Sequence, residues 1–191
     1  MEDGLLVNTI VDFLFVVDVL IIFILLFGSI WSVALPKKRI WPPPHRRSWQ
    51  YILTWICFYL VFILNAALFI LDWNSWIFND GIRLVLGIPL SVVGGLLVSW
   101  GVLTLGAGNT YGLKGGFVST GPYLFMRNPQ YLGDMILFIG LSIIANSSYL
   151  CITHALLILD FAITPLSEET WLEDQYGEAY MTYKRNTSRF L

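Results

Sequence analysis

A series of long apolar stretches separated by polar segments is the feature that most constrains this chain. Five stretches are predicted to span a membrane, because a bilayer core about 30 Å thick needs roughly 20 apolar residues in a helix. They are Phe13–Leu35, Tyr51–Leu71, Ile82–Leu105, Tyr131–Ala145 and Leu150–Leu166. Charged residues make up only 13% of the chain, whereas soluble domains carry about 25%. The sequence therefore predicts an all-α integral membrane protein with about five transmembrane helices.

Basic residues are distributed unequally between the two sides of these helices. Ten of the 11 Lys and Arg residues fall in the first helix connection, the third connection or the C-terminal tail, and only Arg83 falls on the other side. The positive-inside rule assigns the basic side to the cytoplasm. We therefore expect the N-terminus outside and the C-terminus in the cytoplasm. A long apolar run preceded by Glu2 and Asp3 also argues against a cleavable signal peptide.

The chain is predicted to form one structural domain with two regions. Residues 1–105 hold three transmembrane helices and a basic cytoplasmic loop, Pro36–Arg47. Residues 106–191 hold a glycine-rich connector, a transmembrane hairpin and a C-terminal interfacial helix. The connector glycines have the wrong spacing for a dinucleotide loop and follow a helix rather than a strand. They fit a flexible connection or a loop whose backbone amides approach a ligand.

Two polar clusters bracket the transmembrane hairpin. The first is G-P-Y at 121–123 with R-N-P-Q-Y-L-G-D at 127–134, and the second is S-E-E-T-W-L at 167–172 with Y-G-E-A-Y at 176–180. A hairpin brings its two ends together, so we expect Arg127, Glu168 and Glu169 to meet at one membrane face. This face is the predicted site.

The first cluster begins the fourth predicted helix. Asn128 can cap this helix and Pro129 can occupy its first turn. Tyr131 and Asp134 then lie three residues apart on one helical face. A carboxylate inside the membrane is costly unless it is paired, so Asp134 either finds a partner or reaches the interface, and Asp160 should face the bundle interior.

The second cluster is predicted to begin a new helix with Ser167 as its cap. At about 100° per residue, Glu168 and Glu169 fall on the apolar stripe of that helix with Leu172 and Tyr176. Acids favoured only by the helix dipole would instead be solvated in the first turn. This placement favours a functional role for both glutamates.

The motifs G-P-Y-x-x-x-R-N-P-x-Y-L-G, E-E-x-x-L and Y-G-x-x-Y-x-x-Y occur in this order. The series, over about residues 106–190, resembles the membrane methyltransferases typified by isoprenylcysteine carboxyl methyltransferase and the phospholipid methyltransferases. The resemblance implies an S-adenosylmethionine pocket on the cytoplasmic side, roofed by the C-terminal helix and open toward lipid. The residues implied at this pocket are Gly121, Tyr123, Arg127, Asn128, Tyr131, Glu168 and Glu169.

The predicted activity is methyl transfer from S-adenosylmethionine to a lipid or lipid-linked amine or carboxylate. The cofactor carries a carboxylate, an ammonium and a sulfonium, which one arginine, clustered acids and aromatic faces can bind. Arg127 and Glu168 are the expected catalytic residues: Arg127 would orient a carboxylate acceptor, and Glu168 or Glu169 would serve an amine as base. Asn128 and Gly115 stand where carboxyl methyltransferases often have histidine, which disfavours isoprenylcysteine as the acceptor.

Two other functions fit parts of the sequence. Leu132-Gly133-Asp134 also resembles the sterol reductases that use NADPH, although the predicted catalytic face offers few cations beyond Arg127 and Lys114 to meet its phosphates. A non-catalytic lipid-binding protein is the other alternative. We expect lipid partners, no nucleic acid and no metal, since Cys57 and Cys151 lie in apolar runs without a ligand pattern. The sequence leaves the oligomeric state open.

Overall fold

The structure, a computed structural model of the chain, describes residues 2–77 and 80–190. Its helices are α1 (Glu2–Ala34), α2 (Trp49–Leu71), α3 (Asp80–Leu105), α4 (Ala107–Thr110), α5 (Pro129–Ala145), α6 (Ser148–Tyr176) and α7 (Glu178–Asn186). No β-strand forms within the described residues. Helices α1, α2, α3 and α6 are each long and apolar enough to cross a membrane, and α5 is a shorter apolar helix. The predicted all-α membrane fold is confirmed.

The connections between these helices alternate between two ends of the bundle. At one end, the Asn74 amide donates to the Ala145 carbonyl at 2.8 Å and the Trp76 amide to the Asn146 carbonyl at 2.9 Å. The other end, called the site end, gathers residues 35–48, 106–128 and 167–190. There Arg127 N donates to the Ser188 carbonyl at 2.8 Å. Both polar clusters therefore lie at one end, while the membrane face of that end stays a prediction.

Helices α3 and α5 pack closely through glycines. Gly87 and Gly94 on α3 face Gly140 and Gly133 on α5. A Cβ atom at Gly133 would lie 2.7 Å from the Val98 amide nitrogen and 2.9 Å from the Gly94 carbonyl oxygen. Small residues let membrane helices approach to this distance. The contact holds the start of α5, and with it Tyr131, against α3.

The centre of the bundle combines an apolar core with a buried polar network. The core cluster is Ile22, Val61, Phe138, Leu157 and Phe161. Beside it, Asn65 Nδ2 donates to Asp18 Oδ2 at 2.8 Å, and Thr153 Oγ1 donates to Asn65 Oδ1 at 3.0 Å. Such bonds stabilise polar side chains that would otherwise be costly in lipid. They join α1, α2 and α6 into one unit.

The predicted helix start at Ser167 is wrong, because α6 continues through this residue to Tyr176. Ser167 is buried inside the helix and its Oγ donates to the Thr164 carbonyl at 2.8 Å. Pro165 costs a backbone hydrogen bond, but packing against neighbouring helices allows a membrane helix to continue past proline. The chain breaks instead at Gly177, with φ +54°, and α7 follows. Glu168 and Glu169 are therefore interior helical residues, and the first-turn dipole explanation does not apply.

Candidate active site

Arg127 and Glu169 meet across the two ends of the hairpin. Arg127 lies just before α5, and its Nη1 is 3.0 Å from Glu169 Oε1 on α6. Only 9% of each side chain is exposed. The tail supports this position, since Asn128 N donates to the Arg189 carbonyl at 3.1 Å. The structure thus brings together the two clusters that the sequence separates.

Glu169 is the centre of an ion cluster that holds the C-terminal tail. Lys184 Nζ lies 2.9 Å from Glu169 Oε2, and Arg189 Nε lies 2.7 Å from Glu169 Oε1. Lys184 also pairs with Glu173 at 2.7 Å. Hydrogen bonds to Glu173 and Glu169 raise the pKa of Lys184, so its charge persists at neutral pH. The Glu169 carboxylate is therefore matched by three cations of the chain itself.

Glu168 points to a different set of partners. Its Oε1 accepts hydrogen bonds from Tyr131 OH at 2.6 Å and from Trp41 Nε1 at 2.7 Å. Trp41 belongs to the basic loop, whose sequence was interpreted only as a sign of the cytoplasmic side. No motif marks this tryptophan, because its contact with α6 depends on how the loop folds over the bundle. Glu168 is consequently oriented by one residue from α5 and one from the loop.

Glu168 lines one of two adjoining cavities. The polar cavity, of about 100 Å³, is lined by Asn109, Thr110, Tyr123, Arg127, Asn128 and Glu168, among others. The membrane cavity, of about 250 Å³, is lined by Trp41, Trp55, Phe58, Asp134, Asp160 and Phe161, among others. Thr110, Gln130 and Tyr131 line both. The hydrogen-bonded side chains of Trp41, Glu168 and Tyr131 therefore lie at the boundary between the two cavities.

Most of the predicted cofactor residues line the polar cavity, and the others lie outside its lining. Tyr123, Arg127, Asn128, Tyr131 and Glu168 line the polar cavity, whereas Gly121 and Glu169 do not.

Gly121 and Asn128 have identifiable structural contacts. Gly121 has φ +57°, and a Cβ atom there would lie 2.9 Å from Thr104 Oγ1. Asn128 precedes α5 as predicted, but its side chain makes no capping bond. Its Nδ2 donates instead to the Arg189 carbonyl at 3.2 Å. Gly121 therefore shapes a turn, and Asn128 anchors the tail.

A roof of aromatic side chains covers the polar cavity. The Phe117 ring lies 5.4 Å from that of Tyr176 and 5.6 Å from that of Tyr183, measured between centroids. Tyr176 OH donates to the Gly115 carbonyl at 3.0 Å, and Tyr183 OH donates to the Tyr123 carbonyl at 2.6 Å. Burial raises the pKa of Tyr183 to about 12, so its hydroxyl remains a donor at neutral pH. The tyrosine motif thus ties α6 and α7 to the connector.

Two buried donors of the polar cavity have no partner within the described part of the chain. They are Arg127 Nε and Thr110 Oγ1. Leaving a buried polar group without a hydrogen bond costs about 1–3 kcal/mol. A ligand with an anionic oxygen would offer an acceptor to either group. The carboxylate of S-adenosylmethionine is such a ligand group, so the donors present fit this cofactor.

Comparison with known protein families identifies the family of the chain. A family model described as phospholipid methyltransferase matches residues 82–179, just over half of the chain. The chain belongs to the phospholipid methyltransferase family. Membership assigns it to the membrane methyltransferases that act on lipid. No curated protein and no solved structure matches it. The segment of the chain that matches the family contains Arg127 and Glu168 but not Trp41.

Proposed function

We propose that this protein transfers a methyl group from S-adenosylmethionine to a lipid acceptor at the cytoplasmic membrane face. The observation that carries the cofactor assignment is Arg127, which lines the polar cavity, has Nη1 fixed by Glu169, and has a buried Nε without a hydrogen-bond partner among the described residues. An arginine with one nitrogen held by a carboxylate and another left without a partner is suited to bind a second carboxylate. Family membership supports the same reaction.

The residues of the polar cavity suit the remaining groups of the cofactor. Arg127 and Thr110 would hold its carboxylate, and the rings of Tyr123 and Tyr183 offer faces to the adenine and the sulfonium. When bound, S-adenosylmethionine supplies a methyl group on positively charged sulfur, and its transfer leaves a neutral thioether. Alignment and exclusion of water are therefore the main tasks of the protein. The roof that contains Phe117 excludes water.

Glu168 is proposed as the residue that serves an amine acceptor. Both of its hydrogen bonds involve Oε1, so Tyr131 and Trp41 fix the carboxylate while Oε2 faces no bonded partner in the described chain. An acceptor nitrogen that attacks the methyl group loses a proton, and Glu168 would accept it. Glu169, matched by Arg127, Lys184 and Arg189, is the less suitable base.

The size of the polar cavity implies that the roof moves when the cofactor enters. The cavity holds about 100 Å³, whereas ligand pockets usually hold about 300–1,000 Å³. The stretch around Phe117 in the glycine-rich connector is joined to α6 and α7 by ring contacts and by the hydrogen bonds of Tyr176 and Tyr183, and none of these contacts is an ion pair. We propose that this connector lifts to admit S-adenosylmethionine.

The reductase alternative is less well supported by the charges of the cavity. Among the described residues that line the polar cavity, Arg127 is the single cation. NADPH carries three phosphate groups, each of which favours arginine, lysine or backbone donors. The cavity therefore suits one carboxylate better than three phosphates.

A ligand comparison on protein purified in a non-ionic detergent tests the proposal. A ligand at 100 times its dissociation constant stabilises the folded state by about 2.7 kcal/mol, which is worth several degrees of melting temperature at about 2–4 °C per kcal/mol. S-adenosylhomocysteine should raise the melting temperature, and NADPH should not. Stabilisation by NADPH alone would contradict the methyltransferase proposal and support the reductase alternative.

The same assay can measure the contribution of Arg127 to ligand binding. Arg127→Lys retains the charge opposite Glu169 but removes the Nε donor, so S-adenosylhomocysteine should bind about ten- to a hundredfold more weakly. Arg185→Lys is the matched control, because Arg185 is exposed and, among the described residues, its side chain bonds Thr182 at 3.2 Å. Equal affinities in the two variants would remove Arg127 from the cofactor site.

A further inference from the structure

The basic loop, Pro36–Arg47, carries positive charge that the chain does not balance. Between Asp18 and Asp72 the sequence has five lysine and arginine residues and no acid. Four of the five are exposed, and none of these four forms an ion pair within the described part of the chain. They are Lys37, Lys38, Arg46 and Arg47. Like charges this close in sequence repel one another, so counter-charges from outside the chain would stabilise the loop.

The loop is nevertheless folded in one arrangement. Ser32 Oγ of α1 accepts hydrogen bonds from Ile40 N at 2.9 Å and from Trp41 N at 3.0 Å. Arg39, the fifth cation, donates through Nε to the Pro42 carbonyl at 3.0 Å and so closes the middle of the loop. The four exposed cations are therefore carried on a fixed backbone rather than on a free linker.

The loop has a buried face and a charged face. On the buried face, Trp41 Nε1 donates to Glu168 Oε1 at 2.7 Å, and a Cβ atom at Gly112 would lie 2.5 Å from the Trp41 ring. Pro42 and Pro43, which follow in the chain, are also buried. The four cations lie on the exposed face. The side of the loop that covers the candidate site is thus distinct from the side that carries the charge.

Tryptophans at both ends of the loop place it at the level of the lipid headgroups. Trp31 lies in the last turn of α1 and is 37% exposed, and Trp49 begins α2 and is 60% exposed. Both helices are long and apolar enough to span a membrane, and tryptophan is enriched at the membrane–water interface. Basic clusters beside a spanning helix attract anionic lipids, with a gain of about fivefold for each lysine or arginine near the surface. Charge and position together fit anionic headgroups of the bilayer.

We propose that the four exposed cations of the basic loop bind anionic lipid headgroups of the adjacent membrane leaflet, and that this binding holds Trp41 on Glu168. Repulsion among the cations opposes the folded loop, and bound headgroups offset this repulsion. A ligand that binds one arrangement of a segment preferentially stabilises that arrangement. The inference does not rest on the proposed function, because neither step involves the cofactor or the methyl acceptor.

Amide hydrogen exchange of the full-length protein in lipid nanodiscs tests the proposal. The discs contain either phosphatidylcholine alone or equal parts of phosphatidylcholine and phosphatidylglycerol. Exchange of the Ile40 and Trp41 amides reports release of the loop from Ser32, because an amide exchanges when its hydrogen bond opens. In the wild-type protein this exchange should be about fivefold or more slower with phosphatidylglycerol, the factor expected for one cation at an anionic surface. High salt should remove the difference between the two compositions by screening.

Paired substitutions locate the charges responsible. Lys37→Gln/Lys38→Gln should lose most of the slowing by phosphatidylglycerol. Lys114→Gln/Arg185→Gln is the matched control, because it removes the same number of exposed positive charges from the site end but outside the loop. This control should retain the wild-type slowing. The wild-type comparison by itself tests the proposal if a variant fails to fold.

Three results would overturn the proposal. The first is equal exchange of the Ile40 and Trp41 amides in the two lipid compositions. The second is equal slowing by inorganic phosphate added to phosphatidylcholine discs, which would indicate a soluble anion as the ligand. The third is a loss of slowing in the control as large as in Lys37→Gln/Lys38→Gln, which would indicate net charge rather than the loop. None of these readouts measures methyl transfer, so failure of the proposed function would leave them unchanged.

Discussion

Glu168 and Glu169 are adjacent in the chain, yet their carboxylates serve different parts of the site. Glu168 accepts hydrogen bonds from Tyr131 and Trp41 at the boundary of the two cavities. Glu169 pairs with Arg127 at 3.0 Å and with two cations of the tail region. The two residues should therefore respond differently to the same substitution.

Glu169→Gln should mainly reduce stability. The substitution leaves Arg127 buried beside a neutral amide, and breaking a buried ion pair costs about 3–5 kcal/mol. Glu173→Gln is the control, because Glu173 and Lys184 are each 33% exposed and such pairs contribute about 0–1 kcal/mol. Thermal melting in detergent measures the difference. Equal melting temperatures for the two variants would contradict the assigned role of Glu169.

Glu168→Gln should mainly reduce methyl transfer. Glutamine retains an oxygen that accepts from Tyr131 and Trp41 but cannot take a proton, so turnover with an amine acceptor should fall about 10²–10⁴-fold. Labelled S-adenosylmethionine and a total lipid extract provide the assay. Asp174→Asn, on the exposed face of the same helix, should retain activity. Full activity in Glu168→Gln would exclude Glu168 as the base.

Gly133→Ala should destabilise the protein through the α3–α5 contact. Its Cβ would lie 2.7 Å from the Val98 amide nitrogen, and overpacking of this kind costs about 1–3 kcal/mol. The melting temperature should fall by several degrees at about 2–4 °C per kcal/mol. Gly95→Ala is the matched control, since a Cβ at Gly95 of α3 would meet nothing within 4 Å. A loss in Gly95→Ala as large as in Gly133→Ala would refute the close-packing explanation.

Cysteine labelling in intact membranes should show the sidedness of the bundle. In a background with Cys57 and Cys151 replaced by alanine, cysteines at Thr120 and Ser188 should react from the cytoplasmic side, and a cysteine at Ser75 only from outside. All three positions are exposed. The expectation follows from the basic residues at the site end. Labelling of Ser75 from the cytoplasm would invert the topology.

The sequence alone was sufficient for the membrane fold and the meeting of the polar clusters. Apolar runs near 20 residues specify spanning helices because lipid cannot satisfy backbone hydrogen bonds. Hairpin connectivity then returns the chain to the same face, so the contact between Arg127 and Glu169 follows from helix order.

Only the tertiary structure decided that Glu168 and Glu169 contact different partners. It also added the contact between Trp41 and Glu168. Neighbouring helical residues differ by about 100° in direction, so two side chains on one apolar stripe can meet different helices. Which neighbour each meets depends on how closely α3 and α5 approach and on where the basic loop folds. The continuation of α6 past Pro165 was decided in the same way, because packing by neighbouring helices overrides the local tendency of proline to end a helix. The membrane cavity also belongs to this level, since α1, α2, α5 and α6 each supply part of its wall.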